Sequence, residues 1–356
     1  MNDSEIKIYN VPESRRYWVV RAESGTFFDH FNKSGLIALG HLNFLELSDQ
    51  PEGSLFDWGT LQGNYERHTK AFEIKKGTKT AHLGQVKSFL FDMKPDDWVI
   101  TVGNAAVRFG RIAGAPFVDR KPFSIIHDLE SGRSTEMDLH LRRRVVWGPL
   151  ISRKNLPFGL LISLKANQTL FSLDSKWEAI YHTLYAAFTR CNRLYLSLKI
   201  RTQARIKNHE VSSIFHLLDE VEVLGKELAH GNHAILYDFD RVFDSYIEYN
   251  ELTLTTKAQF HSPGEIWNAI TATVGNLDHW ASYTVLIYSM IFGNKTTGFD
   301  GIVDLQTRQK LWDLVIDRIR KNRASQVVDS LQIELPRIDT SRLEGPDAAP
   351  SNSQDN

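Results

Sequence analysis

The chain has a single cysteine, Cys191, in 356 residues, so no intrachain disulfide can form and a disulfide-stapled small fold is excluded. Long apolar runs are missing as well. The longest, Trp280–Phe292, holds thirteen residues with Ser and Tyr among them, short of the about 20 that a membrane span needs, and is expected to be a buried element. The N-terminus shows no charged-then-apolar leader, which makes a reducing cytoplasm the expected compartment. Absent too are Gly-x-x-x-x-Gly-Lys-Ser/Thr, Gly-x-Gly-x-x-Gly and Gly-x-Ser-x-Gly, so nucleotide hydrolysis and α/β-hydrolase chemistry lack their usual anchors. No cofactor is expected.

What remains is ordinary globular composition, 42% hydrophobic and 24% charged, in a chain longer than one core usually holds, which predicts two domains. The net charge of −1 is unevenly spread: residues 1–173 carry an excess of four basic groups and residues 174–356 an excess of five acidic ones. Basic residues also bunch. Arg142, Arg143, Arg144, Arg153, Lys154 and Lys165 fall in one acid-free stretch, 139–173, and a second such stretch covers 179–209. Runs of this kind attract phosphate or form a solvated face.

Periodicity separates the halves. Short β-branched and aromatic runs, Tyr17–Ala22, Leu36–Leu39, Trp98–Val102, Val107–Ala113, Val145–Trp147, Leu160–Leu164 and Thr169–Leu173, predict a small barrel with helical insertions near 26–33 and 64–91. Ser175-Lys176-Trp177-Glu178 has the form of a capping box, after which helical spacing of apolar residues predicts a long helix through 206 and a second over 211–230. An extended segment follows at 246–260. Ser262-Pro263-Gly264-Glu265 then predicts a helix start, with further helices over 266–293 and 305–331 and a disordered tail from Thr340. The expected fold class is α+β: residues 1–15 as an extension, 16–173 as the barrel and 174–339 as a mostly helical domain.

Catalytic patterns are sparse. Cys191 in an apolar helical pattern is expected to be buried and structural. His230-Gly231-Asn232-His233, with Asp238, Asp240 and Asp244, contains metal-capable atoms but straddles a helix end without regular ligand spacing, so no metal is expected. Lys257 sits on a strand, yet Thr255 occupies the place where a metal-dependent nuclease needs a carboxylate.

Three segments in order, RYWVVRAESGTFFDHFNKSGLIALGHLNFLEL (16–47), FLFDMKPDDWVITVGNAAVRFGRIAGAPF (89–117) and LRRRVVWGPLISRKNLP (141–157), resemble the PUA-like, EVE-related domain. That domain stands at the N-terminus of some modification-dependent restriction endonucleases and other bacterial conflict proteins. The resemblance covers residues 16–173; it implies a curved sheet that accepts a base swung out of a duplex, and a setting in defence against foreign DNA. Candidate aromatic faces are Trp18, Trp98 and Trp147; candidate cations are Arg21, Arg108, Arg111, Arg143 and Arg144. The family often has Trp after the glycine where this chain has Gly40-His41, which makes His41 a polar candidate. The expectation is a nucleic-acid-binding protein, DNA before RNA, whose C-terminal half meets a protein partner or a second copy. A nuclease with its site in that half, or a protein-interaction module without nucleic acid, are the alternatives.

Overall fold

The computed structural model describes residues 7–70, 75–128, 133–260, 264–271, 277–292 and 305–345. It is a mixed α+β protein of two compact units, one built mainly from residues 14–179 and the other mainly from 180–338. The ends of the chain are exchanged between them. Strand β1 (Ile8–Asn10) pairs in parallel with a strand of the later unit, and residues 339–345 belong to the earlier one.

The first unit runs β2 (Tyr17–Val20), α1 (Phe28–Ser34), β3 (Leu36–Leu39), α2 (Trp58–Lys70), α3 (Lys76–Lys87), β4 (Trp98–Val102), β5 (Ala106–Ile112), β6 (Phe117–Val118), β7 (Phe123–Asp128), β8 (Arg133–Met137), β9 (Leu141–Ser152), α4 (Phe158–Ser163) and β10 (Leu170–Ser172). Its main sheet has the order β10-β2-β4-β5-β9-β3, with β6 added on β9, and it curls into a half-barrel. β9 does much of the curling. Its first part, Leu141–Arg144, pairs with β3; its second, Val145–Ser152, pairs with β5 across a bulge near Phe109. The change of partner falls between Arg144 and Val145, and the bulge, which sets Gly148 and Pro149 against Phe109, adds a further bend within the part paired with β5. Trp18, Val20, Phe31, Ile37, Leu39, Phe89 and Trp147 fill the concave side.

Residues 340–345, expected to be disordered, are placed in this unit. Leu343 is fully buried, and a Cβ on Gly148 would stand 2.8 Å from it, so glycine there makes the room. One apolar side chain with a matching hole gives the segment a fixed seat that its polar composition does not announce.

The second unit departs further from the sequence pattern. It contains α5 (Trp177–Leu184), β11 (Ala187–Arg190), β12 (Arg193–Ile200), α6 (Asn208–Ala229), α7 (Phe239–Glu248), β13 (Thr255–Gln259), β14 (Gly264–Thr271), α8 (Leu277–Phe292), α9 (Leu305–Lys321), α10 (Ala324–Leu331) and β15 (Ile333–Glu334). Six strands form one sheet, ordered β1-β11-β12-β14-β13 with β15 on β12, so the helices of this unit accompany a sheet where the sequence pattern announced one extended segment. The single long helix expected through 206 is α5 followed by the β11–β12 hairpin. Cys191, in the two-residue turn at φ +53°, is exposed and not buried; its Sγ lies 3.3 Å from Glu13 Oε1. Residues 261–263 of the expected helix start lie outside the described residues, and from Gly264 the chain is strand. The misreading has a physical cause: β12 is buried on both faces, with Leu194, Leu196, Leu198 and Ile200 against one core and Tyr195, Ser197 and Lys199 on the other side. A strand without an exposed face loses its period-two signal, and the apolar residues of β12 continue the helical spacing of those in α5.

α6 packs Ile214, Leu217, Leu218 and Val221 into the leucine side of that core, and it ends where Gly231 takes φ +74°. On the opposite face of the sheet, His182 of α5 stacks on Trp267 of β14, with ring centroids 4.8 Å apart, and hydrogen-bonds Ser197 Oγ at 2.8 Å. No helix among the described residues is long and apolar enough to cross a membrane.

Candidate nucleic-acid interface

The sheet of the first unit does not close, and its two edges face a pocket of about 380 Å³. From the β10–β2 edge come Thr169 and Arg21, and from the turn after β2 come Glu23 and Phe27. The opposite edge contributes Ala38 of β3, then Gly40, His41 and Asn43 just beyond it. Glu136 of β8, with Asp138 and Leu139 leading into β9, completes the wall.

Gln85 of α3 joins the edges. Its Oε1 accepts from the Leu170 backbone N–H at 2.9 Å and lies 3.1 Å from His41 Nε2. Because Leu170 can only donate, that atom is the amide oxygen, so His41 Nε2 must donate to it as well. Burial pushes the His41 pKa below the usual imidazole value, opposed by the Gln85 hydrogen bond and assisted by neighbouring His82. The ring is therefore neutral near pH 7, with Nδ1 bare as an acceptor. His82 stacks on it at 4.4 Å and holds its own place through Tyr65 Oη at 3.1 Å. Asn43 pins the β8–β9 link, donating to the Asp138 carbonyl and accepting from the His140 backbone N–H at 3.2 Å.

Arg21 is the one guanidinium lining this pocket. It donates through Nη2 to the Leu164 carbonyl, while its buried Nε–H has no acceptor among the described residues. Burial first, and then Arg153, lower its pKa. Three carboxylates also line the pocket. Asp138 is paired with His140 at 2.8 Å, whereas the side chains of Glu23 and Glu136 make no hydrogen bond or ion pair among the described residues. The pocket thus combines two ring faces, Phe27 and His41, with a surplus of hydrogen-bond acceptors. Glu23, Ser24 and Gly25 at its lip all have positive φ, a strained turn that sets Phe27 at the mouth of α1.

The remaining candidates lie elsewhere. Trp18 is buried and donates to Asp97 Oδ2 at 3.0 Å, under the Arg16 guanidinium at 4.2 Å. Trp98 is sealed in the core edge-on to Tyr17, and Trp147 donates to the Phe31 carbonyl at 2.6 Å. None of the three lines the pocket; all three indoles are buried, and Trp18 and Trp147 each donate to a buried acceptor, as large aromatics in a core commonly do. The aromatic rings that do line it are Phe27 and His41.

Of the arginines, Arg143 is 2% exposed and its three nitrogens donate to the carbonyls of Phe89, Gly114 and Leu90 at 2.8, 3.1 and 3.1 Å. Two of these carbonyls come from a π-helical turn, Ser88–Asp92, whose wider ladder leaves them free for the guanidinium. Burial lowers its pKa to about 10, still well above neutrality. Arg144 is exposed and paired with Glu52 at 3.0 Å; Arg111 pairs with Asp96 at 2.5 Å; Arg108 donates to the Gly148 carbonyl at 3.2 Å. Only Arg21 and His41 among the nine candidates come together at the pocket.

Phe27, Gln85 and the acidic wall were not singled out by sequence. The Glu-Ser-Gly turn after β2 is a visible punctuation signal, but nothing along the chain shows that it meets the end of β3. Among the described residues no three His, Cys, Asp or Glu side chains converge as a metal site. No family model, curated protein or solved structure matches the chain.

Proposed function

We propose that the chain binds nucleic acid, DNA in preference to RNA, by receiving one unstacked base in the pocket between the open edges of a PUA-like sheet. The observation that carries this reading is the pocket itself, whose volume of about 380 Å³ falls in the about 300–1,000 Å³ range of small-ligand sites. Two rings and both kinds of hydrogen-bonding group line it. Phe27 and His41 offer stacking faces, worth about 1–3 kcal/mol per base.

The electrostatics select the edge. With Glu23, Glu136 and Asp138 against Arg21, a phosphate is repelled from the interior, whereas an exocyclic amino group finds acceptors and a neighbouring ring nitrogen or carbonyl finds the Arg21 donor. Adenine- and cytosine-type bases, plain or modified, carry that donor-beside-acceptor pattern; thymine and uracil place a carbonyl where the amino group belongs. Phosphates are held outside the pocket by Arg153, Lys154 and Lys165, which form no ion pair among the described residues. The setting implied by the resemblance, defence against foreign DNA, gives such a reader a use.

The test is binding of the full chain to duplexes carrying one mismatched A, C, G or T, plain or base-modified, followed by anisotropy across a salt series. A steep salt slope, tighter binding of the A and C mismatches than of T, and a roughly tenfold loss in Phe27→Ala are expected. Binding that ignores salt and the mismatched base would overturn the reading.

A further inference from the structure

We propose that α4 is a wedge that enters the base stack beside the pocket, its exposed Phe158 and Ile162 occupying the space that the extruded base vacates. This rests on the base-receiving reading of the pocket and names a second element of the same interface.

α4 is amphipathic in an inverted sense. Leu160 and Leu164 are fully buried and, with Leu156, anchor it to the unit, whereas Phe158 is 61% and Ile162 49% exposed. These two are four apart and so lie on one helical face. Gly159 beside them has nothing within 4 Å of where a Cβ would stand, so the face is open. Two large apolar side chains on one open helical face make a small patch that a partner can cover.

The surroundings identify the partner as a polyanion. Arg153 and Lys154 precede α4, Lys165 follows it, and no acidic residue lies between Leu139 and Leu173. An apolar tip flanked along the chain by cations has the composition of elements that unstack duplex steps while gripping the flanking phosphates. A hydrophobic protein partner accounts for the tip but leaves the cations without a role.

Continuity with the pocket supplies the geometry. Arg21 of the pocket holds the Leu164 carbonyl at the end of α4, and its backbone N–H donates to the Thr169 carbonyl at 2.8 Å. Ile162 is two residues from Leu164, a rise of about 3 Å along the helix, and Phe158 about 6 Å further on. A base in the pocket and a side chain in the stack are thus held by one short segment.

The test compares wild type with the double variant Phe158→Ala/Ile162→Ala, using a duplex with one A·C mismatch flanked by 2-aminopurine and the corresponding single strand. The expected result is at least tenfold weaker duplex binding, less than twofold change on the single strand, and loss of the 2-aminopurine fluorescence rise seen with wild type. Phe158→Trp, which keeps apolar bulk, should retain both duplex affinity and the signal. An equal loss on both substrates, or an unchanged duplex affinity, overturns the wedge while leaving the pocket reading standing. So does light scattering in which the double variant only converts a dimer to a monomer. A wild-type protein that binds neither substrate overturns pocket and wedge together.

Discussion

Two buried basic sites, one in each unit, hold their charge in different ways. In the first unit, the guanidinium of Arg143 is held by three backbone carbonyls, while its buried neighbour Arg142 pairs with Asp119 at 2.6 Å. In the second, Lys226 pairs with buried Glu222 at 2.6 Å, and nearby Glu220 takes Arg318, which also reaches Asp240. Glu222 additionally accepts from the backbone N–H groups of Thr253 and Leu254 and from the Thr253 hydroxyl, so the pair ties α6 to the loop before β13. A lone cation satisfied by dipoles fixes backbone it cannot trade for another side chain. A pair of side chains fixes two elements that could be joined in other ways. The difference also explains why basic runs in a sequence are a poor guide to a basic surface: Arg142 and Arg143 go inward and Arg144 meets Glu52, leaving Arg153, Lys154 and Lys165 for any ligand.

Substitution can break this contrast. The largest effect is expected at Glu222→Ala, which strands Lys226 in a buried site and should cost about 3–5 kcal/mol in urea unfolding. Replacing both partners by methionine removes the uncompensated charge and should recover the part of the loss due to it, leaving the cost of the Thr253 and Leu254 N–H groups that lose Glu222 as acceptor. Next in size, Arg143→Met leaves three buried carbonyls without donors, a cost of about 3 kcal/mol. No second side-chain substitution can rescue it, because its partners are backbone. If Arg143→Met were rescued by a nearby apolar change, or the Glu222/Lys226 double variant were as unstable as Glu222→Ala, the distinction between the two sites would fall.

A smaller effect sharpens the picture of the second unit. Burial, with a lesser contribution from Lys257, holds the His182 pKa well below the usual value of 6.5. The unfolded chain therefore takes up a proton near pH 6.5 that the folded chain refuses. Stability should fall as pH drops below about 6.5, by up to about 1.4 kcal/mol per pH unit from this group, until the folded pKa is reached. His182→Gln removes the titration and can keep the hydrogen bond to Ser197, so its urea midpoint should vary less between pH 6.5 and 5. An identical slope in the variant would assign the acid sensitivity to other groups.

Local signals in the chain account for a definite part of the structure. Tyr17–Val20, Leu36–Leu39 and Trp98–Val102 are legible strands because each is a short β-branched or aromatic run set off by charged, Gly or Pro residues, although all three are buried on both faces. The glycine that ends α6 is equally plain. β12 and β14 are not, because the apolar residues of β12 continue the helical spacing of those in α5, and β14 begins within a Ser-Pro-Gly-Glu sequence that has the form of a helix start. Candidate residues divide on the same line. Arg21 and His41 stand where the chain leaves a strand, where side chains are free to line a cleft, whereas the tryptophans and Arg143 stand within strands whose faces are covered.

By itself, then, the sequence determined the α+β class, the lack of disulfide cross-links and the places where the chain turns, since each follows from composition or from contacts a few residues apart. Only the tertiary structure decided which side chains face the pocket. That depends on how far the sheet curls before its edges meet Gln85, a distance set by twist, the β9 bulge and packing between residues far apart in the chain.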